Sequence, residues 1–144
     1  MGKRPKKHVH KKETDRIVLK APSEWLYFAM EGASLRSLYD CLKEQKHWRT
    51  EYWEEAKVLE ISIPENGSLD LESMEMDPED RELYSCMEEM GAKTVYAVTI
   101  VPEYFEKMQD VMRYIVEEQG GIFCGDTADF LPKIKAASGL TTSP

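Results

Sequence analysis

Two carboxylates, Asp126 and Asp129, follow directly on the last apolar run of the chain, in the stretch GGIFCGDTADFLP (120–132). Oxygen ligands at the carboxyl end of a strand are a common way to hold a hard cation such as Mg²⁺ against a phosphate. The same residues also have local uses. Gly125 permits a sharp exit from the strand, an aspartate caps the N–H groups of the following turn, and Pro132 stops the segment. Metal-assisted phosphate chemistry and a well-made turn are the two readings this stretch opens.

A second group of candidate residues lies in KHWRTEYW (46–53), which holds His47, Trp48, Tyr52 and Trp53. Trp48 and Tyr52 fall on one face of a helix, and Lys46 and Arg49 add positive charge. An aromatic platform for a ligand, a base or a partner fits that pattern, and so does a cover over the open end of a core. HWRTEYWEE (47–55) is predicted to be a polar, aromatic connector carrying a helical turn. His47 has no Ser or Cys with a matching acid placed beside it, so nucleophilic catalysis is not indicated. The run ESMEMDPEDRE (72–82) reads as a solvated helix start whose acids oppose the helix dipole, or as an acidic surface for a basic partner. Met74, Met76, Met87 and Met90 fit core filling or an adaptable contact surface.

The stretch IFCGDTADFLPKIKAASGL resembles the fourth motif of the haloacid-dehalogenase-type phosphatases, where a strand ends in Gly-Asp-Thr and a further Asp precedes an Ala-rich helix. The resemblance implies Asp126 and Asp129 as Mg²⁺ ligands, and Thr99, at the end of YAVT, as a phosphate-binding hydroxyl. It covers under a third of the chain. The family's nucleophilic Asp-x-Asp at the end of an early strand is missing. In its nearest counterpart, LDLES, Asp70 lies just after a turn and the second acid is Glu72. Between Thr99 and Asp126 there is room for one helix, where the family also has a Lys and a strand-helix unit. Without the nucleophile there is no phosphoenzyme chemistry to run. A second resemblance is topological. Thr94–Val101, Tyr104–Val116 and GGIF are similar to the last strand-helix-strand unit of the B-type protein regulators of ribonuclease E, which implies protein binding. The aromatic doublet of that family is replaced here by Cys124-Gly125.

Composition limits the choice of function. The chain has 144 residues, 42% apolar and 32% charged, which suits one globular domain with its own core. Thr94 to Pro102, the longest apolar run free of charge, is less than half a membrane span. The basic start lacks the apolar run of a secretory signal, which points to the cytoplasm and to no membrane partner. Cys41, Cys86 and Cys124 are an odd set without close pairing, so buried free thiols are expected rather than disulfides or a zinc site. Residues 1–12 carry six Lys and Arg and no acid against a net charge of −8, which leaves −14 on the rest. A body so acidic repels nucleic acid, and only the basic arm could attract it. His8 and His10 on that arm make a poor metal site.

The elements that must position these residues follow from periodicity. Arg16–Lys20 and Trp25–Met30 read as strands, Ser34 caps a helix along Leu35, Leu38, Tyr39 and Leu42, and Ala56–Ile63 alternates as a strand with Glu60 and Ser62 on its polar side. Asn66-Gly67 marks a hairpin turn, and Asp77-Pro78 opens a helix ended by Gly91. Thr94–Val101 is a central strand, Pro102 opens an amphipathic helix ended by Gly120-Gly121, and Ile122–Gly125 is the last strand. The order predicts an α+β fold, a ferredoxin-like two-layer sandwich with a four- to five-stranded, mostly antiparallel sheet and helices on one face. Residues 1–14 are expected to be a basic disordered tail, 15–132 a single domain, and 133–144 a frayed end. The functional expectation is a non-catalytic acidic binding module without cofactor, catalytic residues or metal, of the bacterial inhibitor, immunity or regulatory type, recognising another protein. His47, Trp48, Tyr52, Trp53, Asp126 and Asp129 are its candidate binding residues. The alternative is a Mg²⁺-dependent phosphohydrolase around Asp126.

Overall fold

A computed structural model of the chain describes residues 21–136 and the backbone of 139–141. The basic arm and the strand expected at Arg16–Lys20 lie outside the described residues. The elements are β1 (Glu24–Ala29), α1 (Leu35–Leu42), β2 (Arg49–Trp53), β3 (Val58–Ile63), β4 (Gly67–Ser73), α2 (Arg81–Met90), β5 (Thr94–Ile100), α3 (Phe105–Gln119), β6 (Ile122–Gly125), β7 (Lys133–Lys135) and β8 (Gly139–Thr141). A single turn of 3-10 helix at Pro102–Tyr104 leads into α3. The fold is α+β, with every neighbouring strand pair antiparallel in the order β2-β3-β4-β5-β1-β6-β7-β8.

Local chemistry starts and stops the helices. The Ser34 hydroxyl accepts the Ser37 N–H at 3.1 Å and opens α1. The Asp77 carboxylate accepts the Glu79 N–H at 2.9 Å, but the cap of α2 is Asp80, whose Oδ1 accepts the Leu83 N–H at 3.1 Å. Gly91, at φ 71°, ends α2 in the left-handed conformation that glycine adopts without strain. In α3 the stripe Phe105, Met108, Val111, Met112, Ile115 and Val116 is buried along its whole length.

Two expectations about the sheet are corrected. Among the described residues it has eight strands rather than four or five. Residues 49–53, expected to form a connector, pair with β3 as an edge strand. Residues 133–135 and 139–141, in the segment whose composition suggested fraying, add β7 and β8. The helices also lie on both faces. In β1 five consecutive residues, Trp25–Ala29, are buried, so both of its faces need cover. Trp25, Tyr27 and Ala29 pack with α1 and α3 in the main core. Leu26 and Phe28 turn the other way and pack with Val95, Cys124 and the Leu83, Cys86, Met87 and Met90 side of α2. A helix over the second face gives that half of the sheet three layers.

Candidate functional site

The second face is covered by α2 only over β1, β5 and β6. Across β2, β3 and β4 it presents polar side chains, because Leu59, Ile61, Leu69 and Leu71 all point into the main core. Strand register then brings acids from separate parts of the sequence into line. Glu51 of β2 stands opposite Glu60 of β3, Glu60 opposite Asp70 of β4, Asp70 opposite Thr99 of β5, and Thr99 opposite Glu24 of β1. Trp25 pairs with Gly125, and the Asp126 N–H donates to the Glu24 carbonyl at 2.9 Å, so Asp126 continues the register beyond β6. Five carboxylates and one threonine thus form a single row on one face of the sheet. With strands spaced 4.7–4.9 Å apart, the row runs roughly 24 Å.

Like charges directly opposite each other in neighbouring strands oppose folding. Burial, and after it the charges of Asp70 and Glu51, push the Glu60 carboxyl above its ordinary range. Burial and then Glu72 do the same to Asp70. One Asp70 oxygen, Oδ1, is buried with no hydrogen-bond partner among the described residues. The salt bridges among those residues join Arg36 and Lys43 to Asp40, and Arg113 to Asp110; no member of the row takes part.

At one end the row meets a cleft of about 220 Å³ beside the start of α2, where Asp80, Glu82 and Asp126 line the wall with Leu26, Met74, Leu83 and Phe130. The turn after Asp126 is held by its neighbours. The Thr127 hydroxyl lies 2.9 Å from Asp129 Oδ1, and the Leu131 N–H is shared between that oxygen at 3.1 Å and Thr127 Oγ1 at 3.2 Å. These bonds hold the Asp129 carboxyl below its ordinary range, Thr127 contributing most and the Leu131 N–H next. Asp126 is exposed, and its side chain takes no part in this clasp. Gly125 has its own reason: a Cβ there would fall on the Leu131 carbonyl oxygen. The capping expected of Asp126 is therefore done by Thr127 and Asp129.

These residues do not fit a Mg²⁺–phosphate centre. Asp129 Oδ1 is committed to the turn, and among the described residues no group of three or more His, Cys, Asp or Glu is arranged to hold a metal. Thr99 and Asp126 stand on either side of Glu24, with Asp70 next in line, so a phosphate there would meet carboxylates.

The aromatic group divides between the faces. Trp48 stacks edge-on against Tyr114 of α3, with ring centroids 5.6 Å apart, and Tyr52 lies 5.9 Å from Tyr39 of α1. His47 and Trp48 line a cleft of about 540 Å³ with Ile63, Lys107 and Asp110. Trp53, 47% exposed, alternates to the opposite side of β2 along with Glu51. The structure therefore brings His47 and Trp48 together, sets Tyr52 over the core edge and separates Trp53 from all three.

No family model, curated protein or solved structure matches the chain. Its chemistry is read from its own residues. Among the described residues, no helix is long and apolar enough to cross a membrane. Sequence reasoning singled out Asp126 and missed Glu24, Glu51 and Asp70 as members of its row. The one local signal is at Asp70, a polar position between Leu69 and Leu71; Glu24, after Ser23, and Glu51, after Thr50, have no such flanking pair. Which acids face one another is a property of register, and no short-range pattern carries it.

Proposed function

We propose that this chain is a non-catalytic binding module that recognises a positively charged surface of another protein, as an inhibitor, immunity or regulatory protein does, and that the open face of its sheet is the contact surface. The row Glu51–Glu60–Asp70–Thr99–Glu24–Asp126 is the observation that carries this reading. Burial and then the charges of Asp70 and Glu51 raise the proton affinity of Glu60, and the acids of the row have no cationic partner among the described residues, so like charges set opposite one another weaken the fold when nothing is bound. A partner carrying Lys or Arg relieves that repulsion on contact and is drawn in by the field of the acidic body, which speeds association and excludes acidic competitors. The order β4-β5-β1-β6, with β1 and β4 parallel about β5 and β5 and β6 parallel about β1, supports a ferredoxin-like reading of the central strands. We place the module in the cytoplasm, a reducing compartment that suits three free cysteines.

The test is calorimetric titration with an oligolysine peptide at low salt. Two charge-matched variants are compared, Glu60→Gln/Asp70→Asn in the row and Glu79→Gln/Glu82→Gln at the start of α2. The first should weaken binding several-fold more than the second. Equal losses would mean that net charge alone attracts the peptide, and failure of the unaltered chain to bind would sink the reading outright.

A further inference from the structure

Among the described residues β2 ends the sheet, and its outer edge has a pattern that fits a second copy of itself. Among the described residues, β2 pairs on one side only, with β3. Edge strands are normally blunted by proline, a bulge or an inward charge. Arg49–Trp53 has no proline, its charged residues Arg49 and Glu51 are exposed on the side away from the main core, and Thr50 and Tyr52 turn toward the helices.

We propose that two copies of this chain associate through antiparallel pairing of their β2 edges, in a register centred on Thr50. Antiparallel pairing of a strand with its own copy is two-fold symmetric, so the register is named by the residue on the axis. Centring on Glu51 sets Glu51 against itself. Moving the axis to Thr50 sets Arg49 of each copy against Glu51 of the other, two cross-strand ion pairs on one face. That choice also serves the other face. Thr50 Oγ1 is buried with no hydrogen-bond partner among the described residues. On the axis it faces the same hydroxyl of the second copy, and each hydroxyl can donate or accept. The chain bends at residues 46–48, so the stretch that is strand in both copies is Arg49–Glu51, with Tyr52 and Trp53 flanking it. Arg49 of the second copy then stands at the end of the acidic row, where centring on Glu51 would have placed another acid. Two sheets joined this way form one continuous sheet with both acidic rows on it. The proposal does not depend on what those rows bind.

The test is sedimentation equilibrium of the full chain across a wide concentration range, with Arg49→Glu, Glu51→Arg and the double variant R49E/E51R. The unaltered chain should show a monomer–dimer equilibrium that weakens as salt rises. Each single variant turns two attractive cross-strand pairs into two repulsive ones, so the dissociation constant should rise roughly tenfold or more. The double variant restores opposite charges and should return it to near the original value. Both side chains are exposed, and far-ultraviolet circular dichroism checks that the variants keep the fold. A chain that stays monomeric throughout overturns the proposal. So does a dimer that R49E leaves intact, or one in which R49E/E51R is no better than either single change.

Discussion

Asp70→Asn should stabilise the protein at neutral pH, which few substitutions of a half-buried acid do. Asp70 faces Glu60 directly across β3 and β4, its Oδ1 is buried without a donor, and Glu72 follows on the same side of the strand. Removing one member of a directly opposed like-charge pair is worth about 0.5–1 kcal/mol, less where solvent screens it. Replacing a buried carboxylate oxygen that has no donor with a neutral amide of the same shape adds a similar amount. The expected gain is therefore about 1 kcal/mol, a rise of about 3–5 °C in Tm for a chain of this size. The pH dependence checks the cause. Both carboxyls have folded-state values raised above their ordinary 4.5 (Glu60) and 3.8 (Asp70), so the folded protein holds protons more tightly than the unfolded chain. Their repulsion is fully felt above those raised values and fades as pH falls toward 4.5 and 3.8. Thermal melts of both proteins from pH 7 to pH 4 should show the advantage of Asp70→Asn shrinking over that window, and shrinking also with added salt at pH 7. A loss of stability at pH 7 would refute the reasoning. So would a gain of equal size at both pH values, since charge would then not be the source.

Phe28→Ala should cost about 3–5 kcal/mol in urea unfolding, because Phe28 is fully buried under α2; a cost below about 1 kcal/mol would mean the second face is open at that point. Asp129→Ala should lower Tm while Asp126→Ala leaves it nearly unchanged, since Asp129 holds the Leu131 turn and Asp126 does not. The Asp129 clasp should persist above the ordinary aspartate value of 3.8 and fail only as pH falls through its lowered folded value. Mg²⁺ at millimolar concentration should leave the Tm unchanged; a rise that Asp126→Asn abolished would restore the metal reading. Burial pushes the Cys124 thiol up to about 12, so Cys124 should resist alkylation at neutral pH until the protein is unfolded, as mass spectrometry of labelled peptides would show.

The helices were legible because their causes are local. Ser34 reaches a backbone N–H three residues away, Gly91 needs only its own φ, and the Phe105–Val116 stripe repeats within a few turns. Where two local solutions compete, the reading shifted, as when Asp80 rather than Asp77 capped α2. β2 was read as a connector for a related reason. Trp48 and Tyr52, four residues apart, share a face in a helix and in a strand alike, so the spacing could not separate the two. Pairing with β3 decided it. Composition and charge determined an acidic body, and alternation determined that Glu60 and Asp70 point away from the main core. Only the tertiary structure decided what they point toward. The five acids of the row come from four strands and the turn after β6, spread over a hundred residues of chain, and register between strands depends on long-range pairing and on which faces the helices bury. The same holds for α2. Its apolar side was visible in the sequence, but its place on the opposite side of the sheet follows from β1 being apolar on both faces, and from α1 and α3 having already filled one of them.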